Sequence, residues 1–191
     1  PDPAGEDLVD LDNLIDYMMV IFYTGQTDGP VNLGANVPKN FFAMRPRDGS
    51  EGFRFFVHDN EDSFNSTGAN STGDNNTGDR LTYFNPKWLH QQLDNNAIYR
   101  QRFGDRVHKH YFNDGALTVA RNQARFLGSA DPIAKAIIGE SARWGDFKVS
   151  TPYTRAVWQN AINGKVNSFI PARDGTAMGQ LRSRNLYPNI T

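Results

Sequence analysis

The chain has 191 residues, 38% of them hydrophobic and 12% aromatic, enough for one domain or one large lobe with a real core. Its 20 basic and 21 acidic side chains nearly cancel, so charge gives no general case for a nucleic-acid or membrane-surface partner. There is no cysteine, which excludes disulfides, thiol nucleophiles and cysteine metal sites.

The longest apolar run, Met18 to Tyr23, is far too short to span a membrane, and no signal peptide opens the chain. The first residue is Pro1 rather than Met, so the natural N-terminus is expected upstream. The opening segment reads as a helix. Asp10 or Asp12 can cap it, Leu11, Leu14, Ile15, Met18 and Phe22 recur at helical spacing, and Gly25 ends it. A polar loop rich in Gly, Asn and Pro follows, from Gln26 to Lys39. Residues 40–45 and 53–58 are strand-like and flank a turn containing Asp48-Gly49, which predicts a β-hairpin.

Residues 61–83 read as a low-complexity insertion. A five-residue pattern runs through Asn65-Ser66-Thr67-Gly68-Ala69, Asn70-Ser71-Thr72-Gly73-Asp74 and Asn75-Asn76-Thr77-Gly78-Asp79. Ala69 is the one apolar side chain it offers to bury, so a mobile loop is expected. The pattern also makes Asn-x-Ser/Thr sequons at Asn65, Asn70 and Asn75, with another at Asn189. From residue 85 the chain reads as one helical bundle. Asn85-Pro86, Asp131-Pro132 and Thr151-Pro152 each pair a capping residue with a helix-opening proline. Three stripes follow: Tyr99, Phe103 and Val107; Ile133, Ile137, Ser141 and Trp144; Tyr153, Val157 and Ala161. A last helix is expected over 176–184. Trp88, Trp144 and Trp158 fall within helical patterns and are expected to pack in the core.

The order of these elements suits phosphoryl transfer. That reaction needs a carboxylate to orient or deprotonate the attacking hydroxyl, and hard oxygen ligands for the metal that bridges the phosphates. Asp28 and Asn32 lie on the loop after the first helix, and the hairpin then delivers Asp59 at the end of its second strand. Each of these residues is also a common turn former. Glu61 and Asp62 could add a ligand, but read more simply as solvated loop acids. His58, His90, His108 and His110 have no helical i, i+4 ligand spacing among them, which rejects a zinc site. Arg100, Arg102, Arg106 and Lys109 make a basic helix face, either solvated or able to receive an acidic or phosphorylated substrate.

Several segments together resemble the CotH family, atypical protein kinases first associated with the bacterial spore coat. They are residues 14–17 and 23–28, the strand 40–45 and the strand 52–59. Later segments also resemble the large bacterial branch of that family, over 84–93, 103–110 and 112–118. The resemblance covers nearly the whole chain except the repeat. It implies an α+β, mostly helical, atypical protein-kinase-like C-terminal lobe with a small β-hairpin. It further implies ATP, Mg²⁺ or Mn²⁺, and transfer to Ser/Thr of protein substrates. Asp28 matches the catalytic Asp and Asp59 the metal-binding Asp. Asn32 matches the metal-binding Asn, with Asn40 the alternative register. Gly29 and His58 stand where the family usually has Trp, and Gln26 where it often has Asn.

No Gly-rich loop and no strand lysine precede Asp28. Residues 1–191 are therefore expected to be a single partial domain without its nucleotide-binding lobe, incomplete as an isolated chain. The localisation implied is extracytoplasmic, at a cell or spore surface. The alternative function is a non-catalytic surface or structural interaction module of the same type.

Overall fold

The computed structural model describes residues 7–30, 39–72 and 85–189. It is a mostly helical α+β fold with one two-stranded antiparallel hairpin. The chain divides into two compact units, Pro1–Lys109 with Thr176–Thr191, and His110–Gly175.

In the first unit, α1 spans Leu11–Thr24. Asp10 caps it by accepting from the Asn13 amide at 3.0 Å, which satisfies one of the free N–H groups of the first turn. Gly25 ends it in the left-handed conformation at φ 65°, and its N–H returns to Ile21 and Phe22. The helix is apolar nearly all round: Leu14, Ile15, Met18, Met19, Ile21, Phe22 and Tyr23 are at most 1% exposed. It is therefore a central element rather than a surface one.

The hairpin pairs β1 (Phe41–Met44) with β2 (Arg54–Val57), Phe41 opposite Val57. Only Phe55 of the two strands is buried, and it meets Tyr17 with ring centroids 6.0 Å apart. A hairpin with so little core must be held from outside. Asn13 does this from α1, donating to the Phe55 carbonyl at 3.3 Å and accepting from the Phe55 amide at 2.6 Å. Asp10 adds an ion pair to Arg54 at 2.9 Å. Gly52 runs so close to the preceding segment that an added Cβ would lie 2.6 Å from the Val9 carbonyl carbon.

Helix α2 is Pro86–Leu93, capped by Asn85, which accepts from the Trp88 amide at 3.0 Å. Helix α3 is Ala97–Tyr111. Its predicted stripe is real: Tyr99, Phe103 and Val107 are buried, with Phe103 6.4 Å from Phe22 and 5.4 Å from His90 between ring centroids. The basic face of α3 is largely spent on internal pairing. Arg102 bonds Asp12 at 2.5 Å, Arg106 reaches Asp12 at 2.8 Å and also bonds Asp16, and Arg100 donates to the Asp94 carbonyl at 3.1 Å. The Arg102 hydrogen bond leads the effects that hold the Asp12 carboxyl below its usual range.

In the second unit, α4 is Val119–Ala130, a 3₁₀ turn covers Asp131–Ile133, and α5 is Ala136–Trp144. Helix α6 is Arg155–Gly164, and a π-helical segment, Lys165–Phe169, leads into α7, Ile170–Ser183. Three sequence expectations change here. Asp131-Pro132 opens only the 3₁₀ turn. The helix expected after Thr151-Pro152 begins three residues later, where Thr154 accepts from the Val157 amide at 3.4 Å. The last helix begins at Ile170 rather than 176, because the π segment passes directly into it.

The tryptophans are not core anchors either. Trp144 is 47% exposed, and Trp88 and Trp158 are half-buried. Ile137, Trp144, Tyr153, Val157 and Trp158 instead line an open apolar groove of about 390 Å³ between α5 and α6. Among the described residues no helix is long and apolar enough to cross a membrane.

Candidate active site

The site forms where α1 ends and the hairpin begins and ends. Gly25 turns the chain out of the helix, and Gln26 follows with its side chain folded inward, 1% exposed. The Gln26 Oε1 accepts from the backbone amides of Thr27 at 3.0 Å and Asp28 at 3.4 Å. Its Nε2 donates to the Asp59 carbonyl at 3.5 Å. One amide side chain therefore ties the loop bearing Asp28 to the strand end bearing Asp59. Gly29 leaves room for it, since a Cβ there would sit 3.2 Å from the Gln26 Cγ.

The Asp28 carboxylate is held from the far side of the loop. Lys39 pairs with its Oδ1 at 2.7 Å, and Asn40 donates to its Oδ2 at 3.4 Å and to its carbonyl at 2.6 Å. Lys39 is raised above the usual lysine range, first by its bond to Asp28, with Glu61 and Asp62 adding charge of the same sign. The acids after Asp59 thus act on the same cation as Asp28. Asn40 and Asp59 both take left-handed backbone conformations, φ 57° and 47°, which Asn and Asp tolerate best among residues with a Cβ. Asn40 brings its amide onto Asp28 where β1 starts, and Asp59 turns the chain away as β2 ends. Phe64 is also left-handed, φ 58°, and its amide is tied to the Thr24 carbonyl at 2.9 Å. A bulky residue in that region costs energy and must be fixed by its surroundings.

The first part of the repeat is built into this unit rather than loose. Ser71 and Thr72 are at most 2% exposed, and the Ser71 hydroxyl donates to the Gln26 carbonyl at 2.8 Å. Lys87, fully buried on α2, donates to the Thr72 carbonyl at 3.0 Å and lies 4.6 Å over the Phe22 ring. Sequence reading missed Lys39, Ser71, Thr72 and Lys87, and gave Gln26 no role. Nothing local marks them, because each acts across the fold. Asn32 and the repeat from Gly73 onward lie outside the described residues.

The donors gathered here are hard oxygens, the class that magnesium takes. Among the described residues no group of three or more His, Cys, Asp or Glu is placed to hold a metal. Magnesium needs no such group, since it binds through one or two carboxylates and completes its shell with water and phosphate. The oxygen chemistry of Asp28 and Asp59 is compatible with such sparse ligation. A groove of about 460 Å³ lies elsewhere in the same unit, lined by Arg100, His108, Arg182 and Tyr187 among others, and contains neither Asp28 nor Asp59.

No curated protein and no solved structure matches the chain. The model of the CotH kinase protein family matches residues 5–175 of the 191, and the chain belongs to that family.

Proposed function

We propose that this CotH kinase family member carries the catalytic-loop part of a protein kinase, with Asp28 orienting the acceptor hydroxyl of a Ser/Thr substrate and Asp59 holding magnesium. The observation that carries this reading is the single Gln26 side chain bonded to both the Asp28 amide and the Asp59 carbonyl. Phosphoryl transfer demands little covalent chemistry from the protein and depends on positioning and charge. ATP with magnesium would supply the transferable phosphoryl group and neutralise its oxygens.

Within that reading each residue has a task. Asp28 accepts the proton of the attacking hydroxyl as its oxygen bonds the γ-phosphorus and the bond to the departing ADP oxygen breaks. Lys39 and Asn40 fix the carboxylate for this role, and Lys39 places a cation beside the transferred charge. Asn32 or Asn40 provides the amide ligand of the family pattern. Asn40 spends its Nδ2 on Asp28, and its side-chain carbonyl oxygen would be the atom to hold a metal. Gly29, in place of the family's usual Trp, makes space for Gln26, in place of the frequent Asn, so the two departures complement each other. The extracytoplasmic or surface setting of this reading rests on the family resemblance.

Transfer of label from γ-labelled ATP to a Ser/Thr protein substrate tests the reading. It is to be run with this chain and with a version carrying the family's nucleotide-binding segment ahead of residue 1. Label incorporated by wild type and lost in Asp28→Asn supports the kinase. Equal labelling in Asp28→Asn removes it and leaves a surface interaction module.

A further inference from the structure

We propose that Ser71, Thr72 and Lys87 form a clamp that positions Gln26, and through it the Asp28 and Asp59 segments, so that the start of the repeat insertion is a working part of the site. The significance of those two aspartates rests on the kinase reading above; the clamp itself rests on contacts alone.

The composition of the repeat gives no reason for it to be ordered, since Ala69 is its one apolar side chain. It is nevertheless anchored at several points by folded elements. Lys87 is the decisive one. A fully buried ammonium is costly unless its donors are met, and the Thr72 carbonyl and the Phe22 ring face are among the groups that meet it. Lys87 is fixed in turn by its place in the first turn of α2, which Asn85 caps. Thr72 is shaped by Asn70, whose Oδ1 accepts from the Thr72 amide at 3.0 Å and its hydroxyl at 2.7 Å. Gln180 on α7 donates to the Ala69 carbonyl at 3.1 Å.

The line of contact then runs to the site. Ser71, wholly buried, donates to the Gln26 carbonyl. The Gln26 side chain takes the Thr27 and Asp28 amides on one side and gives to Asp59 on the other. Fixing the Gln26 backbone fixes where its side chain can reach. Ser71, Thr72 and Lys87 are thus positioning residues: none touches the reacting atoms, and each acts through Gln26.

Amide hydrogen exchange by NMR on this chain, together with ATP–Mg²⁺ binding by versions carrying the family's nucleotide-binding segment ahead of residue 1, tests the clamp in wild type, Ser71→Ala and Lys87→Met. Ser71→Ala is expected to fold and to exchange the Thr27 and Asp28 amides roughly three- to tenfold faster, the size of one lost hydrogen bond. Amides in the middle of α1, Ile15 to Met19, should be unchanged, and nucleotide affinity should fall. Lys87→Met should show the same pattern, and if it does not fold, Ser71→Ala decides alone. Unchanged exchange at Thr27 and Asp28 in folded Ser71→Ala overturns the clamp. Faster exchange with no ATP binding by any form, wild type included, supports the clamp and counts against the kinase reading instead.

Discussion

Asn40 grips Asp28 at two points, its Nδ2 lying 2.6 Å from the Asp28 carbonyl and 3.4 Å from the carboxylate Oδ2. Asn40 leads into the hairpin and Asp28 lies near the start of the loop before it, so the hairpin's position bears on the carboxylate's direction. Asn40→Gly keeps the left-handed backbone while removing the amide. The expected result is a folded protein with phosphotransfer slowed about 10- to 100-fold, the usual consequence of a misplaced reacting group. Steady-state kinetics beside a melting curve checks it; a slowed rate with an unchanged melt is the expected pair of results.

Gly52 tests the docking of the hairpin. An added Cβ would strike backbone atoms of Val9 and Asp10 at 2.6 to 2.7 Å, and backbone cannot swing aside as a side chain can. Gly52→Ala should therefore destabilise the chain by roughly 1–3 kcal/mol, the typical cost of overpacking. Urea denaturation measures it. Gly128→Ala is the control, since nothing lies within 4 Å of its Cβ position and a helical alanine is favoured over glycine.

Phe103 anchors α3 against α1 and is 0% exposed. Phe103→Ala should cost about 3–5 kcal/mol, the range for emptying a buried aromatic site. Arg106→Ala on the same helix should cost only ~1 kcal/mol, because its partners Asp12 and Asp16 are partly solvated and screened. Denaturant midpoints of the two variants should differ accordingly.

His90 makes stability depend on pH. Its ring packs beside Phe22, Tyr99 and Phe103, and its Nδ1 lies 2.9 Å from the Tyr99 hydroxyl. Burial, with the charges of Lys87 and Arg184, holds it well below its ordinary value of 6.5. The unfolded chain therefore binds a proton below pH 6.5 that the folded chain refuses. This contribution is fully present above that pH and is lost as the pH falls below it. Stability is expected to fall as the pH drops below about 6.5, by on the order of 1 kcal/mol per pH unit from this one group. His90→Phe should remove that slope, whatever it does to overall stability.

The parts of this fold legible in the sequence were those encoded locally. The spacing of Leu14, Ile15, Met18 and Phe22, with Asp10 before and Gly25 after, identifies α1, and Asp48-Gly49 between two aromatic strands identifies the hairpin. Asn85-Pro86 marks the start of α2 for the same reason. The second unit was harder to read because its apolar stripes stay partly exposed. Ile133, Trp144 and Val157 are 44–48% exposed, so a stripe there does not report a core. The candidate site rests on residues read from the sequence and on contacts that were not. Asp28 and Asp59 are flagged by chain order around a hairpin, but their connection through Gln26, Ser71 and Lys87 joins residues far apart in sequence. Composition also misjudged the start of the repeat, because hydroxyls and carbonyls can be buried when each finds a partner.

In the proposed kinase the Asp28 and Asp59 segments form one magnesium-dependent nucleotide site. Calorimetric titration of ATP with and without Mg²⁺ tests it most directly. It is to be run on wild type and Asp59→Ala, each alone and with the family's nucleotide-binding segment joined ahead of residue 1. Magnesium-dependent binding by the extended wild type and its loss in extended Asp59→Ala, with unchanged folding, are the expected results. Binding that is indifferent to Asp59, or no binding by the extended wild type, would contradict it.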